Sequence, residues 1–404
     1  MSTLRLFEPL ALASGDVLPN RIAKAAMEEN MADDDHLPGE ALRRLYESWS
    51  RGGAGLIISG NVMIDARAMT GPRGVVLDAA QPLAPFVEWA KAAHAAGGRT
   101  WLQINHPGRQ TPAALGQEAV APSAIAVRIP GHENLFPMPR ALEEREILGI
   151  IERFATTAHL VEKAGFSGVQ IHAAHGYLIS QFLSPLANAR TDTWGGSLGR
   201  RSRLLIEVVK AVRARVHRTF SVGVKLNAGD FQKGGFDVEE AALVVGKLEG
   251  LGVDLVELSG GTYESPAMQG RAGSGDVRTG GGYFVALART IAARSTIPIM
   301  VTGGIRDRAV AEDAVTSGAD GAAVAMVGIA SALAFEPDLP LRWRNGGSVA
   351  AEVARAPWKS PVGDVANMEM VRVQLRRLGR GLRPGACTSP YWALAAYGVR
   401  TKVA

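Results

Sequence analysis

The sequence predicts a (β/α)8 TIM barrel followed by a C-terminal extension, and three observations carry that expectation. Short apolar, β-branched runs alternate along the chain with longer amphipathic segments. Near-continuous apolar strands, each followed by a helix, imply a parallel sheet covered on its outer face. No G-x-G-x-x-G follows an early strand, as the rival doubly wound open sheet would ordinarily require. Finally, seven strand ends carry polar residues that packing alone does not need, and in a barrel those ends form one rim where chemistry sits.

In chain order the predicted strands are Arg21–Ala25, Gly55–Ser59, Thr100–Asn105, Gly168–His172, Val222–Leu226, Leu255–Ser259, Ile297–Thr302 and Gly321–Ala325. Between them, "LPGEALRRLYESWSRGG" opens with Pro and stops at Gly, and "EEREILGIIERFATTAHLVEKAG" repeats apolar positions at helical spacing up to Gly165. "DVEEAALVVGKLEGLG" has an Asp N-cap and an acidic first turn. Residues 1–344 are thus expected to form the barrel and 345–404 an extension, with a helix near 366–379. That extension is expected to pack on the outer ring or on a neighbouring subunit, a homo-oligomer in the latter case. Long Pro/Gly-rich connectors at 106–142 and 260–281 read as lids over a pocket.

Composition narrows the function. Of 404 residues, 47% are apolar and 21% charged, which is the balance of an ordinary globular protein. No Lys/Arg block interleaved with aromatics points to nucleic acid, and the basic stretch Arg372–Arg383 has the spacing of a helix face. The N-terminus lacks a basic region followed by an apolar run, and no long apolar stretch reads as a membrane span. A cytoplasmic protein acting on a small molecule is expected. The single cysteine, Cys387, rules out an intramolecular disulfide or a Cys-ligated cluster within this chain.

The rim residues carry the chemistry. "HAAHGY" after strand 4 puts His172 and His175 at i, i+3 with alanines between them. Zincin histidines lie at i, i+4 on a helix with Glu between them, so no metal is expected. "GGSLG" matches a nucleophile elbow formally, but no strand feeds into Ser197. "VTGGIRD" joins a strand through Gly303 and Gly304 to a helix, a place where freed backbone N–H groups bind phosphate. Gln103, an amide that both donates and accepts, suits the edge of a pyrimidine-like ring. Lys225 is a cation in the barrel mouth that calls for a facing anion. Together these residues point to a flat, electron-rich heterocycle carrying a phosphate.

The motifs "LPNRIAKAAM", "GLIISGNV", "QINHPGRQ", "IHAAHGYLISQFLSPLANARTDTWGGS" and "VTGGI" resemble those of the old yellow enzymes, FMN-dependent NAD(P)H:flavin oxidoreductases and ene reductases. The similarity runs from Leu6-Phe7-Glu8-Pro9-Leu10 to "EPDLP" at 336–340. It implies that Ala26 and Met27 lie along the flavin, with Asn61 near its ring edge. Gln103 would bond the pyrimidine, Lys225 would stand near N1 and O2, and Gly303 and Gly304 would hold the phosphate. His172 and His175 would clamp a substrate carbonyl while Tyr177 donates a proton.

The implied activity is reduction of an activated C=C bond by FMN in a ping-pong cycle fed by NADH or NADPH. Alternatives are a flavin-dependent dehydrogenase, a nitro-group reductase, or an FMN-binding protein without turnover. Two positions depart from the family pattern. Glu28 stands where relatives often have Thr or Cys tuning the flavin, and its carboxylate is expected to disfavour the reduced form. Ala330-Ser331 replace the usual Gly-Arg on the phosphate, with Arg306 as the candidate substitute. The lone cysteine implies a single-barrel form without an iron–sulfur domain.

Overall fold

The computed structural model describes residues 4–269, 282–316, 322–347, 350–358, 361–385 and 389–403. Eight parallel strands form its centre: β1 (Ile22–Lys24), β2 (Leu56–Met63), β3 (Arg99–Asn105), β4 (Gly168–Ala173), β5 (Ser221–Asn227), β6 (Leu255–Ser259), β7 (Ile299–Thr302) and β8 (Met326–Ile329). Each pairs with the next, and β8 pairs with β1 through Val327 opposite Ile22, so the sheet closes. The helices between and after the strands include α1 (Glu40–Arg51), α2 (Ala84–Ala93), α3 (Glu144–Lys163), α4 (Arg203–Arg215), α5 (Val238–Leu248), α6 (Val285–Ala292), α7 (Arg308–Val315) and α8 (Leu339–Arg344), with shorter ones at Leu178–Leu183, Leu198–Arg201 and Ala332–Phe335. The fold is a (β/α)8 barrel.

Strand alternation divides the core in two. Ile22, Ile57, Leu102, Val256, Val301 and Val327 face the helices and join the large strand–helix core. Their neighbours Ala23, Leu56, Ile58, Trp101, Leu255, Met300 and Met326 fill the barrel interior, with Leu10, Leu12 and Leu18 from an N-terminal hairpin. Trp101 dominates that interior. A Cβ on Gly168 or Gly223 would come within 2.6 Å of its ring, so both glycines are required by its bulk.

The same alternation places the chemistry. Continuing it upward from the apolar interior layer brings Gln103, Gln170, His172, Lys225, Glu257 and Thr302 to inward positions near the strand ends. Strand β2 extends beyond the expected Ser59, and a register shift between Ile58 and Asn61 resets its alternation. Asn61, rather than Gly60, then pairs beside Gln103.

The eighth strand lies later than expected. Gly321–Ala325 was the predicted span, yet the ladder runs over Met326–Ile329, and Gly321 lies outside the described residues. The run from Ala322 to Ile329 is uniformly apolar, so periodicity cannot set its start; pairing with β7 and β1 does. Val324 instead donates its N–H to the Ala314 carbonyl of α7.

Helix signals behave as the sequence implies. Glu143 and Glu146 form a capping box at the start of α3. Asp237 accepts from the Glu240 N–H to cap α5, and Gly165 follows α3 with φ +90°. Beyond α8, α9 (Pro361–Gly379) starts before the expected position and lies against α1, while α10 (Pro390–Val403) lies against α9. The approach of α9 to α1 is close: a Cβ on Gly379 would come within 2.7 Å of the Ala41 carbonyl oxygen. Among the described residues no helix is long and apolar enough to cross a membrane. Cys387 lies outside those residues.

Candidate active site

At the C-terminal rim, His172 is the penultimate residue of β4, and the chain then turns through His175 and Gly176, both with positive φ (61° and 75°). Glycine is needed at the second position, because a Cβ there would lie 2.5 Å from Oε1 of Gln110. The turn brings three rings together. His172 meets His175 edge-on at 5.2 Å between centroids and Tyr177 at 4.9 Å. The structure thus gathers His172, His175 and Tyr177 into one buried cluster.

Protonation in this cluster follows from its bonds. Nδ1 of His172 accepts from the Ala174 N–H at 3.2 Å, which leaves the proton of the neutral ring on Nε2. Burial holds both imidazoles well below the usual histidine range, reinforced at His172 by His175 and Lys225 and at His175 by Lys225. Both rings are therefore neutral near pH 7. Nε2 of His175 lies 2.9 Å from the Ser259 hydroxyl of β6, and its backbone N–H donates to Asn227 of β5 at 3.0 Å.

Tyr177 has a partner that sequence reasoning missed. Its hydroxyl lies 2.9 Å from that of Tyr263, on the loop after β6, and Nδ2 of Asn61 approaches it at 3.5 Å. Burial pushes the Tyr177 phenol well above its ordinary range, with Tyr263 and Glu28 adding to the shift. Tyr263 is pushed up to about 12, by burial first and then by Glu28. The long connector after β3 packs on this phenol. Phe136 stacks on Tyr263 at 5.9 Å, while Glu264 accepts from Arg109 at 2.5 Å and from the Arg128 N–H at 2.8 Å. The remainder of the β6 loop, 270–281, lies outside the described residues.

Across the mouth runs a second buried chain of polar groups. Gln103 donates to Gln170 at 2.7 Å, Gln170 donates to Glu257 at 2.7 Å, and Glu257 pairs with Lys225 at 2.8 Å. Gln170 sits opposite Gly223 in the β4–β5 ladder, and its amide reaches across to Glu257 of β6. Lys225 thus already faces an anion, a protein carboxylate. Glu257 and Gln170 were absent from the sequence-based site. A charge inside the apolar run "LVELS" and an amide two residues before His172, on the same strand face, were the available signals.

The glycine turn after β7 serves packing as well as any ligand. Gly303 (φ 144°) and Gly304 (φ 71°) have backbones that favour glycine, and a Cβ on Gly304 would lie 2.6 Å from the Tyr283 ring. Ala330 follows β8, packing on the barrel-interior core, and Ser331 is the N-cap of the short helix Ala332–Phe335. Arg306 is exposed, its carbonyl accepting from the Ala351 N–H. Arg355, from the C-terminal extension and likewise exposed, donates to the Tyr283 hydroxyl at 3.4 Å, on the ring that covers Gly304. Ala26 packs at the edge of the interior core and Met27 at the edge of the strand–helix core. Several buried atoms on this rim, among them Oδ1 of Asn61, both amide atoms of Asn105 and Oγ1 of Thr302, have no hydrogen-bond partner among the described residues. Such orphans mark where a polar ligand fits.

Glu28 is held on both sides. Thr70 donates to one carboxylate oxygen, and Arg372 of α9 lies 3.5 Å from the other. The carboxylate expected to disfavour the reduced flavin therefore has a countercharge.

A closed parallel barrel with a glycine turn after β7 and a His–His–Tyr cluster after β4 is the arrangement that the sequence resemblance implies for a flavin-dependent oxidoreductase barrel. The family described as NADH:flavin oxidoreductase / NADH oxidase matches residues 5–348, and the chain belongs to that family. It is 38% identical over 366 residues to an NADH-dependent flavin oxidoreductase of Hypocrea jecorina, covering 84% of this chain and 89% of that one. An NADH oxidase of Thermoanaerobacter brockii is 34% identical, over 82% of this chain and 49% of its own length.

Among solved structures, the old yellow enzyme homologue of Zymomonas mobilis superposes with a TM-score of 0.72 at 25% identity, covering 87% of this chain and 97% of that one. Morphinone reductase in complex with tetrahydroNAD gives 0.70 at 29%, over 89% and 95%. The protein is accordingly an FMN-dependent oxidoreductase with NAD(P)H as its reductant, of the old yellow enzyme type.

Proposed function

We propose that the protein reduces an activated C=C bond, such as that of an α,β-unsaturated carbonyl compound, in a ping-pong cycle. The observation that carries this reading is the contact of Tyr177 with His172 in one buried cluster. Bound FMN supplies the hydride that reaches the β-carbon. His172, with its proton on Nε2, and His175 hold the carbonyl oxygen where negative charge grows; such a donor is worth about 3 kcal/mol. Tyr177 delivers its hydroxyl proton to the α-carbon, and Tyr263 is placed to hand a proton on to it. One hydride and one proton saturate the bond.

For the cofactor, Ala26 and Met27 line the flavin, Gln103 and Lys225 face its pyrimidine edge, and Asn61 offers its orphaned oxygen. Gly303, Gly304, Ala330 and Ser331 present backbone to the phosphate, with Arg355 in place of the arginine missing after β8. Glu28 tunes the flavin in concert with its partner Arg372. A nitro-group reductase or a dehydrogenase has no need of a phenol poised to protonate carbon.

Anaerobic titration tests the reading. NADH or NADPH should bleach the flavin, and 2-cyclohexen-1-one should restore its colour. Protein that stays colourless after mixing with FMN and desalting would refute it.

A further inference from the structure

A buried ion pair ties together the two loops that flank the Tyr177 hydroxyl. Arg109, in the connector after β3, meets Glu264, on the loop after β6, at 2.5 Å, with side chains only 6% and 14% exposed. At that burial a charge-assisted hydrogen bond is strong and weakly screened by solvent. The other Glu264 oxygen accepts from the Arg128 N–H, and the Arg109 guanidinium also donates to the Ile125 and Ala126 carbonyls at 3.3 and 3.0 Å. The backbone N–H of Arg109 donates to Oε1 of Gln181 at 3.1 Å, and the Gln181 N–H donates to the Tyr177 carbonyl at 2.8 Å. Gly108 has no room for a Cβ, which would overlap the Gln181 amide, so that seat is tight. Glu264 directly follows Tyr263, whose hydroxyl lies 2.9 Å from that of Tyr177. The bonds therefore form a closed ring that begins and ends at Tyr177.

We infer that Glu264 is a positioning residue, which anchors the β6 loop to the connector after β3 through Arg109 and so seats the Tyr263 hydroxyl on that of Tyr177. The inference rests on the proton-donor role proposed for Tyr177 and the relay through Tyr263. Proton transfer needs heavy atoms within about 3.2 Å, and Tyr263 stands on a loop whose reach no strand ladder sets. Phe136 stacks on its ring but, being apolar, does not direct the hydroxyl. The turn itself is closed locally: Thr262 donates its N–H to the Ser265 carbonyl at 2.9 Å, and the Ser265 hydroxyl donates to the Phe231 carbonyl at 3.1 Å. Without the Glu264 carboxylate the turn thus stays folded and Arg109 keeps its two carbonyl acceptors. What is lost is the charged bond that holds Tyr263 in reach.

A double-mutant cycle with Tyr263 tests this on the FMN-loaded enzyme. Flavin reduction by NADH and reoxidation by 2-cyclohexen-1-one are followed separately in stopped flow. Glu264→Ala should slow reoxidation about tenfold, short of the roughly 10²–10⁴-fold that a positioned general acid supplies, and leave reduction within about twofold of wild type. Added to Tyr263→Phe, it should slow reoxidation by less than about twofold more, because its effect passes through the missing hydroxyl. A carboxylate that merely stabilised the fold would slow both half-reactions or multiply with Tyr263→Phe. Either result overturns the inference, as does a wild-type reoxidation rate in Glu264→Ala. If Glu264→Ala does not fold, Glu264→Gln, which keeps one of the two acceptor oxygens, goes through the same cycle and decides by the same outcomes. Tyr263→Phe reoxidised at the wild-type rate would overturn the relay itself. Wild-type enzyme that the enone does not reoxidise would instead overturn the reductase reading.

Discussion

The hydroxyls of Tyr177 and Tyr263 lie 2.9 Å apart, joining the turn after β4 to the loop after β6. If Tyr177 is the acid, removing its hydroxyl should spare flavin reduction by NAD(P)H and slow reoxidation by an enone. Tyr177→Phe is expected to lose on the order of 10²–10⁴-fold in the second half-reaction only. Tyr263→Phe should lose less, because it acts through its neighbour. Equal slowing of both halves in stopped flow would argue against the assignment.

Lys225 and Glu257 form a buried pair, and breaking one side leaves an uncompensated charge in the barrel mouth. Glu257→Leu should cost about 3–5 kcal/mol in urea unfolding, with Lys225→Met/Glu257→Leu recovering much of the loss. A single variant as stable as wild type would show that the pair contributes nothing.

His106 supplies a pH dependence with a definite sign. Burial lowers its pKa to about 4 in the folded chain. The unfolded chain, with an ordinary histidine near ~6.5, binds the extra proton first. Stability is therefore full above about pH 6.5 and falls between there and pH 4, by roughly 3 kcal/mol from this residue. His106→Asn should flatten that part of the stability–pH curve, and an unchanged slope would remove His106 as its cause.

Arg355 is the guanidinium placed near the β7 glycine turn from the C-terminal extension. Arg355→Ala should weaken FMN binding about tenfold, the range of one charge-assisted hydrogen bond. Arg306→Ala should leave the affinity unchanged. Fluorescence titration of FMN distinguishes the two.

Most of the barrel was legible because its determinants are local. Alternating apolar runs fix strands, and Asp237 or Gly165 fix helix ends wherever they occur. The eighth strand was misplaced because Ala322–Ile329 offers no polar punctuation, and only hydrogen bonds to β7 and β1 select its register. His172, His175 and Tyr177 stood out because they crowd one short segment. Tyr263, Gln170 and Glu257 did not, since each gains meaning from a partner on another strand.

What the sequence determined by itself was the order of strands and helices, the polar rim and the family. Tertiary structure decided the pairings: Gln103 with Gln170, Lys225 with Glu257, Tyr177 with Tyr263, Glu28 with Arg372. The reason is physical. Backbone preference and hydrophobic period act over a few residues, whereas a buried charge or phenol is satisfied by whatever barrel closure brings within about 3 Å. For Glu28, that partner came from the far end of the chain.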